Sequence, residues 1–219
     1  MRPFQIFIVT GANSGLGKEL TKILYSSHAK IYMAARSETK VKAAIEDIQR
    51  LHPSSTGELI YLHLDLSDLS TIKQSVRDFL AKESRLDVLW NNAGVMLPPP
   101  GSKTAQGYEL QLGVNSLGTF LFTQLLYPTM VTTALAAPTN SVRVVWVSSS
   151  AASGAPKPPI DFKNMDYKTE EGEWRKYERS KVGTILLACE FARRSEREGH
   201  RVLHVVRYHL GTLRKTEIT

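Results

Sequence analysis

Cysteine is almost absent from this 219-residue chain, with Cys189 standing alone. One thiol cannot close an internal disulfide, so the fold must rest on a packed core, and the usage fits a reducing compartment. Cys189 itself reads as a small apolar residue inside a helix. The six histidines show no ligand spacing, so no metal is expected. A signal-peptide pattern is also missing, because Met1-Arg2-Pro3 leads straight into a short apolar run. The expected location is cytoplasmic, with a membrane-peripheral one as the alternative.

No basic block stands out, although the formal net charge is +7. Residues 1–150 carry 14 Lys+Arg against 11 Asp+Glu, and residues 151–219 carry 14 against 10. An excess spread so evenly speaks against a nucleic-acid partner. Charge is missing altogether from Leu110 to Val142, a length that raises the question of a membrane span. The stretch also holds Asn115, Ser116, Thr119, Thr123, Gln124, Pro128, Thr132 and Thr133, too much polarity for hydrocarbon. A buried helix followed by a loop is expected there, and no transmembrane segment.

What the chain does contain is a regular alternation of apolar runs and amphipathic stretches. Phe4–Val9 reads as a strand, followed by a glycine-rich turn at Thr10–Gly17 and a helix to about Ser27. Lys30–Ala35 is a second strand. A helix from Ser37 to about Leu51 follows, with Val41, Ala44, Ile45 and Ile48 on one face. Glu58–Leu64 is a third strand. Ser67 or Ser70 is expected to cap a helix to about Lys82, with Ile72, Val76, Phe79 and Leu80 inward. Strands at Leu86–Trp90, Val142–Val147 and Arg201–Arg207 and a long helix at Glu173–Arg197 complete the series. Strands alternating with helices imply one α/β domain over residues 1–219, built on a parallel sheet.

The turn Thr10-Gly11-Ala12-Asn13-Ser14-Gly15-Leu16-Gly17 lies between a strand and a helix. A helix start there offers free N–H groups and the positive end of a dipole to a pyrophosphate. Gly11 would make the tight turn, Gly15 would let phosphates reach the backbone, and Gly17 would let the helix pack on the strand. The other reading is a structural glycine turn in an empty sheet. Further along come Asn91-Asn92-Ala93-Gly94, Val147-Ser148-Ser149 and Tyr177-Glu178-Arg179-Ser180-Lys181.

Together these four segments resemble, in order, the motifs of the classical short-chain dehydrogenase/reductase family, with the retinol-dehydrogenase-like branch the most similar in spacing. The resemblance runs from Phe4 to about Arg207. It implies a Rossmann-type doubly wound parallel sheet, an NADP(H) or NAD(H) cofactor and hydride transfer on a small-molecule carbonyl or alcohol. It assigns cofactor binding to Thr10, Gly11, Asn13, Ser14, Gly15, Leu16, Gly17, Arg36, Asp65, Leu66, Asn92, Ala93, Gly94, Tyr177 and Lys181. Catalysis falls to Ser149, Tyr177, Lys181 and Asn115. Tyr177 would pass the proton, Lys181 would lower its pKa and hold ribose, Ser149 would orient the substrate oxygen, and Asn115 would anchor a relay water. Ser150 is the alternate serine, and each of these residues also has a plain packing or surface role open to it.

The second strand ends Ala34-Ala35-Arg36-Ser37, with no acid until Glu38. An acid there would bind a free ribose 2′-OH and repel a 2′-phosphate, whereas a guanidinium pairs with phosphate, so NADP(H) is preferred over NAD(H). Lys18 would add positive charge nearby. Asp65, with Leu66, would hold the adenine amine, or would merely start the next helix. Residues 154–174, with Phe162, Tyr167 and Trp174, form an insertion expected over the substrate mouth and suit an apolar substrate of small to medium size. A homodimer through the uncharged helix and the Tyr177 helix is the family analogy.

Two departures favour a second reading. After the last strand the order is His209-Leu210-Gly211-Thr212-Leu213-Arg214-Lys215-Thr216, with Leu where the family has Pro and Thr216 one residue late. The chain stops at Thr219, before the family's C-terminal strand and lid, so six strands are expected. The alternative is a truncated, catalytically impaired relative that binds only a dinucleotide or a protein partner.

Overall fold

The computed structural model describes residues 5–209. Six strands lie parallel in one sheet: β1 (Ile6–Thr10), β2 (Lys30–Ala35), β3 (Glu58–His63), β4 (Val88–Asn91), β5 (Arg143–Ser149) and β6 (Leu203–His209). Their spatial order is β3-β2-β1-β4-β5-β6. The chain works outward from β1 in one direction and then returns to build outward from β4 in the other. The β1/β4 boundary is therefore the switch point, where a doubly wound sheet opens a crevice at its carboxyl edge.

Helices cover both faces, and the pleat decides which residue serves which. Ile6 and Ile8 join a core with Ile72, Val76 and Phe79 of α3 (Leu69–Leu80) and Phe122, Leu126 and Met130 of a later helix. Phe7 and Val9 point the opposite way. They meet Tyr25 of α1 (Gly15–Ser26) and Val41, Ala44 and Ile48 of α2 (Glu38–Leu51). A strand buried on both faces must be apolar at every position, which is why β1 reads as a continuous hydrophobic run.

The uncharged stretch folds as expected in outline and differs in detail. A single turn α4 (Leu110–Leu112) passes into a π-helical segment Gly113–Gly118 and then α5 (Thr119–Ala136), with Pro128 inside α5. Among the described residues no helix is long and apolar enough to cross a membrane. A 3₁₀ turn at Ser150–Gly154 follows β5, then an irregular segment, then α6 (Glu173–Arg197).

Two local expectations need correction. Asp68 caps α3, its carboxylate accepting from Ser70 N–H at 3.0 Å, so neither Ser67 nor Ser70 is the cap. Ser67 instead closes a turn on Asp65, whose Oδ1 accepts from Ser67 N–H at 2.8 Å and Oγ at 2.6 Å. Leu80 is exposed, because Ile72, Val76 and Phe79 already complete the inward stripe. Cys189 lies inside a helix, as expected, on the exposed side of α6, since α6 buries Thr184, Ala188, Phe191 and Ser195 on one face and residue 189 falls outside it. Leu210–Thr219, and with it the expectations for Gly211, Thr212 and Thr216, lies outside the described residues.

Candidate active site

The glycine turn begins where β1 ends. Gly11 (φ +67°) and Gly15 (φ +53°) both take left-handed backbone, which a β-carbon would strain. At Gly17 the constraint is contact, because a β-carbon there would lie 2.3 Å from the Gly11 carbonyl oxygen. The first turn of α1 carries no acidic residue, and Ser14 makes no side-chain cap bond, so its leading N–H groups stay available to an anion.

Thr10 stitches this turn to the next loop. Its hydroxyl donates to the Trp90 carbonyl at 3.2 Å and accepts from Asn92 N–H at 3.0 Å and Ala93 N–H at 2.9 Å. Asn92 Nδ2 returns a bond to the Thr10 carbonyl at 2.9 Å. Beyond them opens a crevice of about 520 Å³. Gly11, Asn13, Ser14, Gly15, Leu16, Gly17, Arg36, Asp65, Leu66, Asn92, Ala93 and Gly94 all line it. Thr10 does not, since its hydroxyl is occupied in the framework.

Arg36 stands at the end of β2, exposed at the rim, with no ion-pair partner among the described residues. Lys18 does not line the crevice. Its ammonium pairs with Asp47 of α2 at 2.8 Å, away from the crevice lining.

The serine, tyrosine and lysine meet at the carboxyl end of β5. Tyr177 and Lys181 are four apart on α6, both buried, and the ammonium lies 5.7 Å from the phenol ring centre. Lys181 Nζ donates to the Val147 carbonyl at 3.2 Å. Burial lowers its pKa from 10.5 to about 8. The Tyr177 phenol is held above its ordinary value, chiefly by burial, while the neighbouring Ser149 hydroxyl pulls it down. Burial and Ser149 set that direction, and the lowering expected from the Lys181 charge is not among the causes.

The three serines separate cleanly. Ser148 donates to the Lys181 carbonyl at 2.9 Å, which ties β5 to α6. Ser149 faces Tyr177 and accepts from Ala151 N–H at 3.2 Å. Ser150 is exposed.

Asn115 sits in the π-helical segment, a geometry often found at functional positions. Its side chain accepts from Val95 N–H at 2.8 Å and donates to the Val95 carbonyl at 2.9 Å and Ser180 Oγ at 3.0 Å. Its backbone carbonyl accepts from the Thr184 hydroxyl at 3.2 Å. Gly94 leaves a gap beside it, since a β-carbon there would come within 3.0 Å of Asn115 Oδ1 and 3.3 Å of Lys181 Nζ. Ser180 and Thr184 escape a reading by motif. The signal that could find them is their place three and seven residues beyond Tyr177, on the same helical face.

A doubly wound parallel sheet with a glycine turn at its switch point, and serine, tyrosine and lysine together at the adjoining strand end, defines a Rossmann NAD(P)-binding fold. The family model described as short chain dehydrogenase matches residues 5–158. The chain belongs to that family. It is 56% identical over 201 residues to a short-chain dehydrogenase/reductase pkfC of Emericella nidulans, covering 92% of this chain and 64% of that one. It is 57% identical over 190 residues to a short-chain dehydrogenase/reductase of Phomopsis amygdali, covering 87% and 57% respectively. The chain thus spans about three-fifths of the length of these curated relatives. Among solved structures, a Pseudomonas aeruginosa RhlG/NADP active-site complex superposes with a TM-score of 0.71 at 21% identity, over 94% of this chain and 74% of that one.

Proposed function

We propose that this chain carries the cofactor-binding and proton-transfer centre of an NADP(H)-dependent oxidoreductase acting on a carbonyl or alcohol. The single observation that carries the reading is the meeting of Ser149, Tyr177 and Lys181 at the end of β5, beside a crevice built on free helix-start amides.

The residues fit a dinucleotide. The α1 amides and Ser14 would take the pyrophosphate, Asp65 and Leu66 the adenine, and Asn92, Ala93 and Gly94 the middle of the molecule. Arg36 supports a 2′-phosphate, and the likeness in fold to a chain solved with NADP agrees. The space kept by Gly94 beside Lys181 suits a ribose. The nicotinamide, when bound, supplies the hydride chemistry.

The chain's own part is the proton. A buried phenol held above its ordinary pKa stays protonated at neutral pH, so Tyr177 is poised as a donor to a carbonyl oxygen. Ser149, hydrogen-bonded near that phenol, orients the same oxygen. Lys181 stabilises negative charge as the phenol gives up its proton, and Asn115 holds the Val95 loop and its own carbonyl toward α6. Substrates are apolar and small to medium in size, as the insertion at 154–174 suggests. A homodimer through α5 and α6 is supported by exposed Phe120 and Leu186 on those helices.

Comparing wild type with Tyr177→Phe over a panel of aldehydes and ketones, with NADPH oxidation as the readout, tests the reading. A loss of about 10²-fold or more is expected, and equal rates would refute the assigned acid. A second reading, dinucleotide binding without turnover, draws on one observation: Ser149, Tyr177 and Lys181 are not among the residues lining the crevice. NADPH fluorescence enhancement without oxidation of the cofactor by any substrate in the panel would favour it.

A further inference from the structure

Gln111 is fully buried, and both polar atoms of its side-chain amide have partners. Oε1 accepts from Leu97 N–H at 3.1 Å. Nε2 donates to the Glu173 carbonyl at 2.9 Å and to Glu173 Oε2 at 3.2 Å. Only this orientation of the amide works, because the reverse would set NH₂ against an N–H donor. Glu173 is fixed in turn, its Oε1 accepting from the buried Lys176 ammonium at 2.9 Å. One amide therefore ties the loop after Gly94 to the first turn of the helix that carries Tyr177.

Two apolar side chains flank that tie. Leu97 is 47% exposed and holds φ +50°, left-handed backbone that a branched side chain rarely adopts. Such strain persists only where neighbouring bonds over-determine it. Here the bonds are Gln111 on Leu97 and Asn115 on both polar groups of Val95. Trp174 follows Glu173, is 49% exposed, and its ring centre lies 5.7 Å from that of Tyr177. An indole half out of water against the proton-transferring phenol offers a flat face beside the reacting centre.

We propose that Gln111 is a positioning residue that sets Leu97 and Trp174 as an apolar rim beside Tyr177, selecting substrates whose reacting carbonyl is carried on a flat, apolar ring system. This deepens the oxidoreductase reading and rests on it for its catalytic consequence. The rim is built by hydrogen bonds within the chain, so it stands ready before substrate arrives. The Trp174 face contacts the ring, and Gln111 acts through the backbone on either side.

The test uses the full chain as wild type, Gln111→Leu and Trp174→Ala, with NADPH and two probes, α-tetralone and propanal. The ratio of kcat/KM for α-tetralone to that for propanal should fall about tenfold in each variant, almost wholly through the α-tetralone KM. Equal loss for both probes, or loss in kcat alone, overturns the proposal. Trp174→Ala removes an exposed side chain and leaves the buried network intact, so it remains decisive if Gln111→Leu does not fold. Calorimetric titration of α-tetralone into the chain saturated with NADP⁺ gives a readout without turnover. Wild type should bind about tenfold tighter than Trp174→Ala. Identical affinities, or no binding to wild type, overturn the rim. Selective binding with no turnover of either probe upholds the rim and rejects the oxidoreductase reading instead.

Discussion

Replacing Lys181 with methionine should make the folded chain more stable at neutral pH. The ammonium is buried, and loss of its water holds its pKa at about 8 against an ordinary 10.5. Each tenfold change in proton affinity corresponds to about 1.4 kcal/mol, so carrying this charge in the folded state costs about 3 kcal/mol. Methionine has comparable length and no charge. It forfeits the bond to the Val147 carbonyl, made at 3.2 Å, which contributes about 1 kcal/mol. The net expectation at pH 7 is a gain of about 2 kcal/mol, or about 4–8 °C in Tm for a chain of this length.

The sign fixes the pH window. Below pH 8 both folded and unfolded chains hold the lysine proton, and the full cost applies. Between pH 8 and 10.5 only the unfolded chain holds it, so the proton-linked cost to the wild type changes across this window and the variant's advantage with it. The folded lysine is neutral there, and the unfolded chain is favoured by its bound proton until that proton too is lost at 10.5. The depressed folded pKa therefore costs nothing only above 10.5, where the variant should be the weaker by its lost hydrogen bond. Urea unfolding followed by far-UV circular dichroism at pH 7, 8, 9 and 10 measures the difference between the two proteins. Equal stability at pH 7, or an advantage that does not shrink across this range, would show that burial of the charge is not what the side chain endures.

Arg36→Asp should weaken NADPH relative to NADH by about tenfold or more, since a carboxylate would repel a 2′-phosphate at the end of β2; an unchanged ratio of dissociation constants defeats the assignment. Tyr177→Phe should cut turnover, measured as NADPH oxidation, by about 10²-fold or more while NADPH fluorescence enhancement persists, because the pyrophosphate is assigned to the α1 amides and the proton to the phenol. Gly17→Val should destabilise the fold by about 2–4 kcal/mol, measured by thermal unfolding, because its first side-chain atom would press on the Gly11 carbonyl oxygen from 2.3 Å. A Gly17 variant with wild-type Tm would mean that α1 can shift away from β1 freely.

Elements with a strong period are legible in the linear chain. The apolar run at Lys30–Ala35 and the helix at Glu173–Arg197 fall where periodicity puts them, because both faces of β2 and one face of α6 are buried. Short polar signals are less legible. Ser67, Asp68 and Ser70 are all good capping residues, and the choice of Asp68 depends on which turn Asp65 has already closed. The π-helical turn at Gly113–Gly118 leaves no periodic mark in six residues, yet it carries Asn115.

The order of strands and helices, the glycine turn and the spacing of Tyr177 and Lys181 are properties of the linear sequence, because each is a local matter of chain period and backbone freedom. Which serine meets the phenol, where the Lys18 charge goes, and that burial raises the Tyr177 pKa are decided only when β5 and α6 come together and α1 meets α2. Those outcomes depend on water removed by distant segments, and no window along the chain records that.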